Sequence, residues 1–140
     1  MPHNYILDTD HVTFFQREYP IVLQRMAEVN NDVIVTTIIT YEEQIKGRFS
    51  FIKRATSSKK LVDGYTDLQN SINYFNTLPI LPFDETAYAY YLALRKQKIR
   101  IGTQDLRIAA ITLANNSTLV TRNWRDFSKV PNLTLVDWSI

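Results

Sequence analysis

The sequence predicts an α/β protein, a mostly parallel sheet of about five strands covered by helices on both faces. Two observations carry that expectation. Five apolar runs are short enough for buried strands, at Tyr5–Leu7, Val33–Thr37, Leu78–Leu81, Leu119–Thr121 and Leu133–Val136. Between them lie stretches with helical spacing, and strands that alternate with helices build a parallel sheet buried on both sides. The 140 residues suit one domain with one core, so residues 1–140 are read as a single domain.

In chain order, the first strand runs into two acids, Asp8 and Asp10. A helical stretch follows over Val12–Val29, which Pro20 divides into two pieces. Thr40–Ile52 is expected to be helical after the second strand. Leu61–Phe75 follows, with Leu61, Tyr65, Leu68, Ile72 and Phe75 spaced as one face of a helix. Glu85–Lys98 comes after the third strand, with Asp84 placed to cap it, and Leu106–Asn115 precedes the fourth.

Composition narrows the class. A hydrophobic fraction of 45% and a charged fraction of 21% are those of an ordinary globular protein. No apolar run has the length of a membrane span, and the N-terminus shows no basic segment followed by a long apolar stretch. Cysteine is absent, so disulfides, thiolate metal sites and cysteine nucleophiles are excluded. These features lead us to expect a cytoplasmic protein with no membrane partner. Sixteen basic against 14 acidic residues give a net charge of +2, too small to announce a nucleic-acid partner.

The acids are more informative. Asp8 ends the first strand, Glu43 follows the second in TIITYEEQIKG, and Asp105 opens the helix of GTQDLRIAAITLANN. Asn123 and Asp126 follow the fourth strand in TLVTRNWRDF. In a parallel sheet, ligands sit in the crevice beyond the carboxyl ends of the strands, and all these groups fall there. Clustered carboxylates resist joint ionisation unless a cation neutralises them, and oxygen ligands suit Mg²⁺ or Mn²⁺.

Each acid also has a plainer structural reading. Asp10 is expected to be the N-cap of the first helix, and Thr40-x-x-Glu43 forms a capping box. Asp105 favours the positive end of a helix dipole, and Asn123 and Asp126 are common turn residues. Asp8 has no such routine duty. His3 and His11 lack zinc spacing and read as exposed or half-buried. Phe14, Phe15, Tyr88, Tyr90 and Tyr91 read as core or helix-interface groups. Two loose basic groups adjoin the acids, from Lys46 to Lys60 and at Lys96, Lys98 and Arg100; each reads as a solvated helix face by default, and a bound polyanion would need such a rim.

LDTD, ITYEEQIKG, GTQDLRIAA and LVTRNWRDF, in that order, resemble the PIN-domain ribonucleases, and among them the VapC-type toxins of toxin–antitoxin pairs. The resemblance extends over nearly the whole chain, including the closing VPNLTLVDW. It implies a PIN-like α/β/α sandwich and metal-dependent endonucleolytic hydrolysis of RNA. By it, Asp8, Glu43 and Asp105 hold Mg²⁺ or Mn²⁺, and Glu42 is only a neighbour of the glutamate that stands four residues before Gly47. The fourth catalytic position falls to Asn123, where many relatives carry an acid, or to Asp126. Thr9 and Thr121 stand where a ligand or phosphate would be hydrogen-bonded, the alternative being ordinary strand-forming threonines, and Arg122 and Arg125 where phosphate would be touched, Arg125 being equally placed to pair with an acid. The resemblance further implies a small VapB-like antitoxin as partner, and a homodimer. The Leu61–Phe75 face is assigned to the partner surface, the alternative being that it covers the sheet.

Other classes were weighed. Asp8-Thr9-Asp10-His11-Val12 fits the short DxDx[TV] pattern of haloacid-dehalogenase-like phosphatases, but the lysine and acidic pair that the class needs are not evident. A receiver domain would need its phosphoacceptor at the end of the third strand, where Pro82-Phe83-Asp84 stands. A PIN fold that binds RNA or a partner without cutting is argued against by the joint presence of Asp8, Glu43 and Asp105.

Overall fold

The computed structural model describes residues 3–140. In chain order the elements are β1 (Tyr5–Leu7), α1 (Thr9–Gln16), α2 (Pro20–Ala27), a 3-10 turn at Asn31–Val33, β2 (Ile34–Thr37), α3 (Ile38–Arg54), α4 (Ser58–Phe75), β3 (Ile80–Leu81), α5 (Glu85–Lys96), α6 (Thr103–Ala114), β4 (Thr118–Val120), α7 (Trp124–Phe127) and β5 (Thr134–Val136). The five strands form one sheet in the order β3-β2-β1-β4-β5, every pair parallel.

Side chains alternate between the two faces with the strand period. Ile6, Val35 and Leu119 enter one core with Ala87, Tyr91 and Leu94 of α5, Ile108 and Ile111 of α6, and Phe127. Leu7, Ile34 and Val120 enter the other, with Val12, Val22, Met26, Phe75 and Trp138. Helices therefore cover both faces, as the continuous apolar strands require.

The strand order places the site. From β1 the chain moves outward to β2 and β3, then returns to lay β4 and β5 on the other side. Connections diverge at β1 and β4, and a crevice opens beyond their carboxyl ends. Register sets Leu7 opposite Val120, so Asp8 and Thr121 emerge side by side.

Several boundaries differ from the sequence-based expectation. The first helix starts at Thr9 rather than Val12, because the Asp8 side chain caps it at Thr9 N, 2.7 Å away. Its break lies where expected: Glu18 adopts φ 55°, and Pro20, with no N–H to satisfy, begins α2. The third helix starts at Ile38, capped by the buried Thr37 hydroxyl accepting from Thr40 N at 3.1 Å. Thr40 and Glu43 consequently form no capping box. Leu78 stays outside β3: its N–H closes the end of α4, and Pro79 lacks the N–H a ladder needs. Asp84 caps α5 as expected, accepting from Ala87 N at 2.9 Å.

Over most of its length the α4 face does not cover the sheet, and Phe75 at its end enters the core. Leu61, Tyr65 and Ile72 are 43%, 57% and 41% exposed, while Gly64, Ser71 and Phe75 are buried. The reason is Gly64. A Cβ there would stand 2.8 Å from Ile52 Cγ1 and 3.0 Å from Phe51 Cδ1, so the missing side chain lets α3 dock closely against α4. Packing on α3 turns the apolar stripe outward. Tyr88 and Tyr90 of α5 are likewise largely exposed, whereas Tyr91 enters the core.

Candidate active site

Four segments deliver acidic side chains to the crevice. Asp8 comes from the end of β1, where its N–H donates to the Val120 carbonyl at 3.0 Å and continues the ladder. Its side chain is 6% exposed. One carboxylate oxygen accepts from Thr9 N at 2.7 Å, the other from the Thr121 hydroxyl at 2.8 Å. Burial, reinforced by the charges of Asp10 and Asp105, pushes its pKa up to about 7 against the pull of those two hydrogen bonds.

Glu43 lies in α3 and accepts from Thr9 Oγ1 at 3.1 Å. Half-burial raises its pKa, and the charges of Asp105 and Glu42 add to that. Glu42 points to other duties: it accepts from Gln104 Nε2 at 2.7 Å and pairs with Lys46 at 3.4 Å. The Gln104 hydrogen bond leads the effects that lower its pKa.

Asp105 sits in the first turn of α6, after the Gly102 cap. A helix N-terminus favours ionisation, yet burial and the charges of Asp126 and Asp10 raise its pKa. Asn123 and Asp126 arrive on the short α7, which the sequence did not reveal. Asn123 Nδ2 stands between two acids, 3.2 Å from Asp126 Oδ2 and 3.5 Å from Asp105 Oδ2. The turn is tied back by Asn123 N donating to Thr121 Oγ1 at 3.0 Å.

Thr9 and Thr121 thus bind carboxylates rather than standing free toward a ligand. Arg122 lies over the Phe14 ring at 5.3 Å, and Arg125 is exposed with no ion pair among the described residues.

Two expectations are corrected here. Asp10 is not a cap, since Asp8 takes that position. It lies in the first turn, accepting from Arg122 N at 3.2 Å and from His11 Nδ1 at 2.9 Å. His11 is fully buried, not exposed or half-buried. Its Nε2 accepts from Trp138 N at 3.1 Å and lies 3.4 Å from Asp137 Oδ1. With Nε2 accepting a backbone N–H, the network assigns the ring proton to Nδ1, donated to Asp10. The C-terminal segment passing over α1 buries this ring, and the only sequence signal was the run DTDH itself.

Among the described residues, no Lys or Arg forms an ion pair with Asp8, Glu43 or Asp105. Lys46 pairs with Glu42, and its charge is the least of the effects on Glu43, while Lys129 pairs with Asp126 at 3.8 Å. Asp105 raises the pKa of both Asp8 and Glu43, none of the three is ion-paired with a base among the described residues, and their donors are all oxygen. That set fits a hard divalent cation. The carboxylates lie within electrostatic reach without closing into a set of three ready ligands among the described residues.

The family model described as "PIN domain" matches residues 5–133. Ribonuclease VapC1 of Haemophilus influenzae (strain R2866) is 31% identical over 137 residues, covering 96% of this chain and 98% of that protein. Ribonuclease VapC2 of Rickettsia felis is 30% identical over 141 residues, covering 96% and 97%. Among solved structures, VapBC-1 from nontypeable Haemophilus influenzae is similar with a TM-score of 0.76 at 25% identity over 97% of this chain and 98% of that one. VapBC2 from Rickettsia felis, bound to a DNA fragment from its promoter, is similar with a TM-score of 0.70 at 28% identity over 96% and 98%.

Proposed function

Because this chain belongs to the PIN domain family, we propose that it is a metal-dependent endoribonuclease and the toxin of a VapBC-type pair, hydrolysing RNA phosphodiester bonds. The relatives are named ribonucleases, and the similar structures are toxin–antitoxin complexes. The observation that carries the reading in this chain is the convergence of Asp8, Glu43, Asp105 and Asp126 at one sheet edge, the first three with raised pKa values and no ion pair to a base among the described residues.

Asp8 and Asp105 would hold Mg²⁺ or Mn²⁺, with Glu43 as a direct or water-linked third group, and Asn123 and Asp126 flanking Asp105. A bound divalent ion supplies activation of the attacking water and neutralises charge gathering on the phosphate. The protein's part is placement. Thr121 and the backbone of Thr9 fix both oxygens of Asp8. Thr9 also fixes Glu43, so one residue sets the angle between two acids. Asn123 holds Asp105 and Asp126 apart by donating toward both.

No helix of the described residues is long and apolar enough to cross a membrane, in keeping with a cytoplasmic toxin. A VapB-like antitoxin would restrain it, its chain lying against the exposed apolar side chains of α3 and α4, Phe49, Leu61, Val62, Tyr65 and Ile72, and the toxin would act as a homodimer. Single-turnover cleavage of an RNA substrate tests the activity. Wild type should cut with Mg²⁺ or Mn²⁺ and stop on adding EDTA, while Asp8→Asn and Asp105→Asn should be folded and inactive. Near-normal rates in either variant would sink the site.

A further inference from the structure

Helices α1 and α3 leave the carboxylate edge side by side, joined by polar contacts. Thr9 Oγ1 donates to Glu43. One turn on, Gln44 Nε2 donates to Thr13 Oγ1 at 2.9 Å. At the end of α1 the two helices part around a cavity of about 440 Å³, lined by Arg17, Arg48 and, from α4, Asp67, Asn70, Ser71 and Tyr74. The helical rise from Thr9 to Arg17 puts it about 12 Å along the axis from the acids.

The lining is preset for an anion. Arg48 Nε donates to Ser71 Oγ at 2.9 Å, which fixes the guanidinium in place. Arg17 has no ion pair among the described residues. The Tyr74 hydroxyl is buried with no hydrogen-bond partner, although its ring is held against Phe15 at 5.3 Å. Buried polar groups are rarely left unpaired, and because Tyr74 also lines the cavity, a small turn of its ring would offer this hydroxyl to a ligand atom. Burial also raises the Tyr74 pKa, which keeps it an O–H donor at neutral pH.

We propose that this cavity is a second phosphate subsite, gripping the RNA backbone a few nucleotides from the bond held at the carboxylates. This rests on the ribonuclease reading above. Two arginines against one aspartate leave one net positive charge, which matches a phosphodiester. The planar guanidinium fork suits its two non-bridging oxygens, and Tyr74 and Asn70 offer further donors. The polar contacts Thr9–Glu43 and Thr13–Gln44, which lead along the two helices from the acids toward Arg17 and Arg48, favour a strand running down from the acids over an acidic group brought by a protein partner. The subsite would set register and affinity without touching the reacting atoms.

The test uses the full chain carrying Asp8→Asn, so that RNA is bound and not cut, with a labelled single-stranded RNA spanning both places and a dinucleotide that cannot. Arg17→Gln should weaken binding of the long RNA by about tenfold and lower the salt slope of log K by about 0.7. Tyr74→Phe should weaken it severalfold with an unchanged melting temperature, since the hydroxyl has no partner to lose. Binding of the dinucleotide should be the same in all. Equal affinity for the long RNA in all variants would overturn the proposal, as would equal losses with both RNAs, or Arg17-dependent capture of an acidic peptide without any effect on RNA. If wild type cuts RNA and the variants bind normally, this proposal alone falls. If wild type neither binds nor cuts RNA, the ribonuclease reading falls with it.

Discussion

Thr121 donates its hydroxyl hydrogen to Asp8, Oγ1 to Oδ2 2.8 Å, joining the ends of two neighbouring parallel strands that lie 113 positions apart in the chain. The same oxygen accepts from Asn123 N. One buried hydroxyl therefore orients the first acid of the site and anchors the turn that carries the last.

Thr121→Val keeps the shape and removes both bonds. Loss of a group that orients a metal ligand lowers metal affinity or activity about 10–100-fold. Leaving Asp8 and Asn123 N short of a partner should also destabilise the protein by roughly 1–3 kcal/mol. Single-turnover cleavage against metal concentration, with thermal melts, checks both. An unchanged metal dependence would show that Thr121 does not position Asp8.

Asp8 should govern stability as well as the proposed chemistry. Its folded pKa of about 7 lies above the ordinary 3.8. Its contribution is therefore full below the unfolded value and is lost as pH rises through about 7. At 1.36 kcal/mol per unit the loss is on the order of 4 kcal/mol without metal. Asp8→Asn should raise the melting temperature in EDTA at pH 8 and flatten its fall between pH 4 and 8. Mn²⁺ should stabilise wild type at pH 8 much more than at pH 5, and should not stabilise the variant. A melting temperature equally pH-dependent in both proteins would remove Asp8 as the cause.

The adjacent glutamates should behave differently. Glu43→Gln removes a charge at the acidic cluster and should lower cleavage by at least about 100-fold. Glu42→Gln disturbs only the partly exposed links to Gln104 and Lys46 and should cost less than about threefold, at most about 1 kcal/mol of stability. Steady-state rates at saturating metal decide it. Similar losses in the two variants would mean that α3 is turned differently in the active protein.

Asp126 and Asn123 can be separated by the same means. Asp126 is the leading charge raising the Asp105 pKa, and Asn123 bridges the two. Asp126→Asn should lower the rate about 10–100-fold and weaken metal binding. Asn123→Asp adds a carboxylate to the site and should tighten metal binding, lowering the metal concentration needed for the half-maximal rate while sparing the rate at saturation. Metal titrations of both variants test this; a silent Asp126→Asn would leave Asn123 as the working residue.

The chain's periodicity was enough to place five strands, alternate them with helices and drop Asp8, Glu43, Asp105 and the Asn123–Asp126 turn at one sheet edge. Those features are local: a short apolar run, an acid at its end, a helical spacing after it. What depended on non-local packing was not legible. Glu43 looked like half of a capping box until Thr37, buried at the end of β2, proved to be the cap. The α4 stripe was legible as a face, assigned to a partner with sheet covering as the alternative; the approach that Gly64 permits to Phe51 and Ile52 is what turned Leu61, Tyr65 and Ile72 outward. His11 looked like an isolated surface histidine, and the C-terminal Trp138 seals it. Thr9 and Thr121 became carboxylate partners only when distant strand ends met. Sequence determined which chemistry is present and at which edge of the sheet. Only tertiary structure decided which hydrogen bonds orient it and which apolar surface stays bare, because both are contacts between residues that nothing in local spacing brings together.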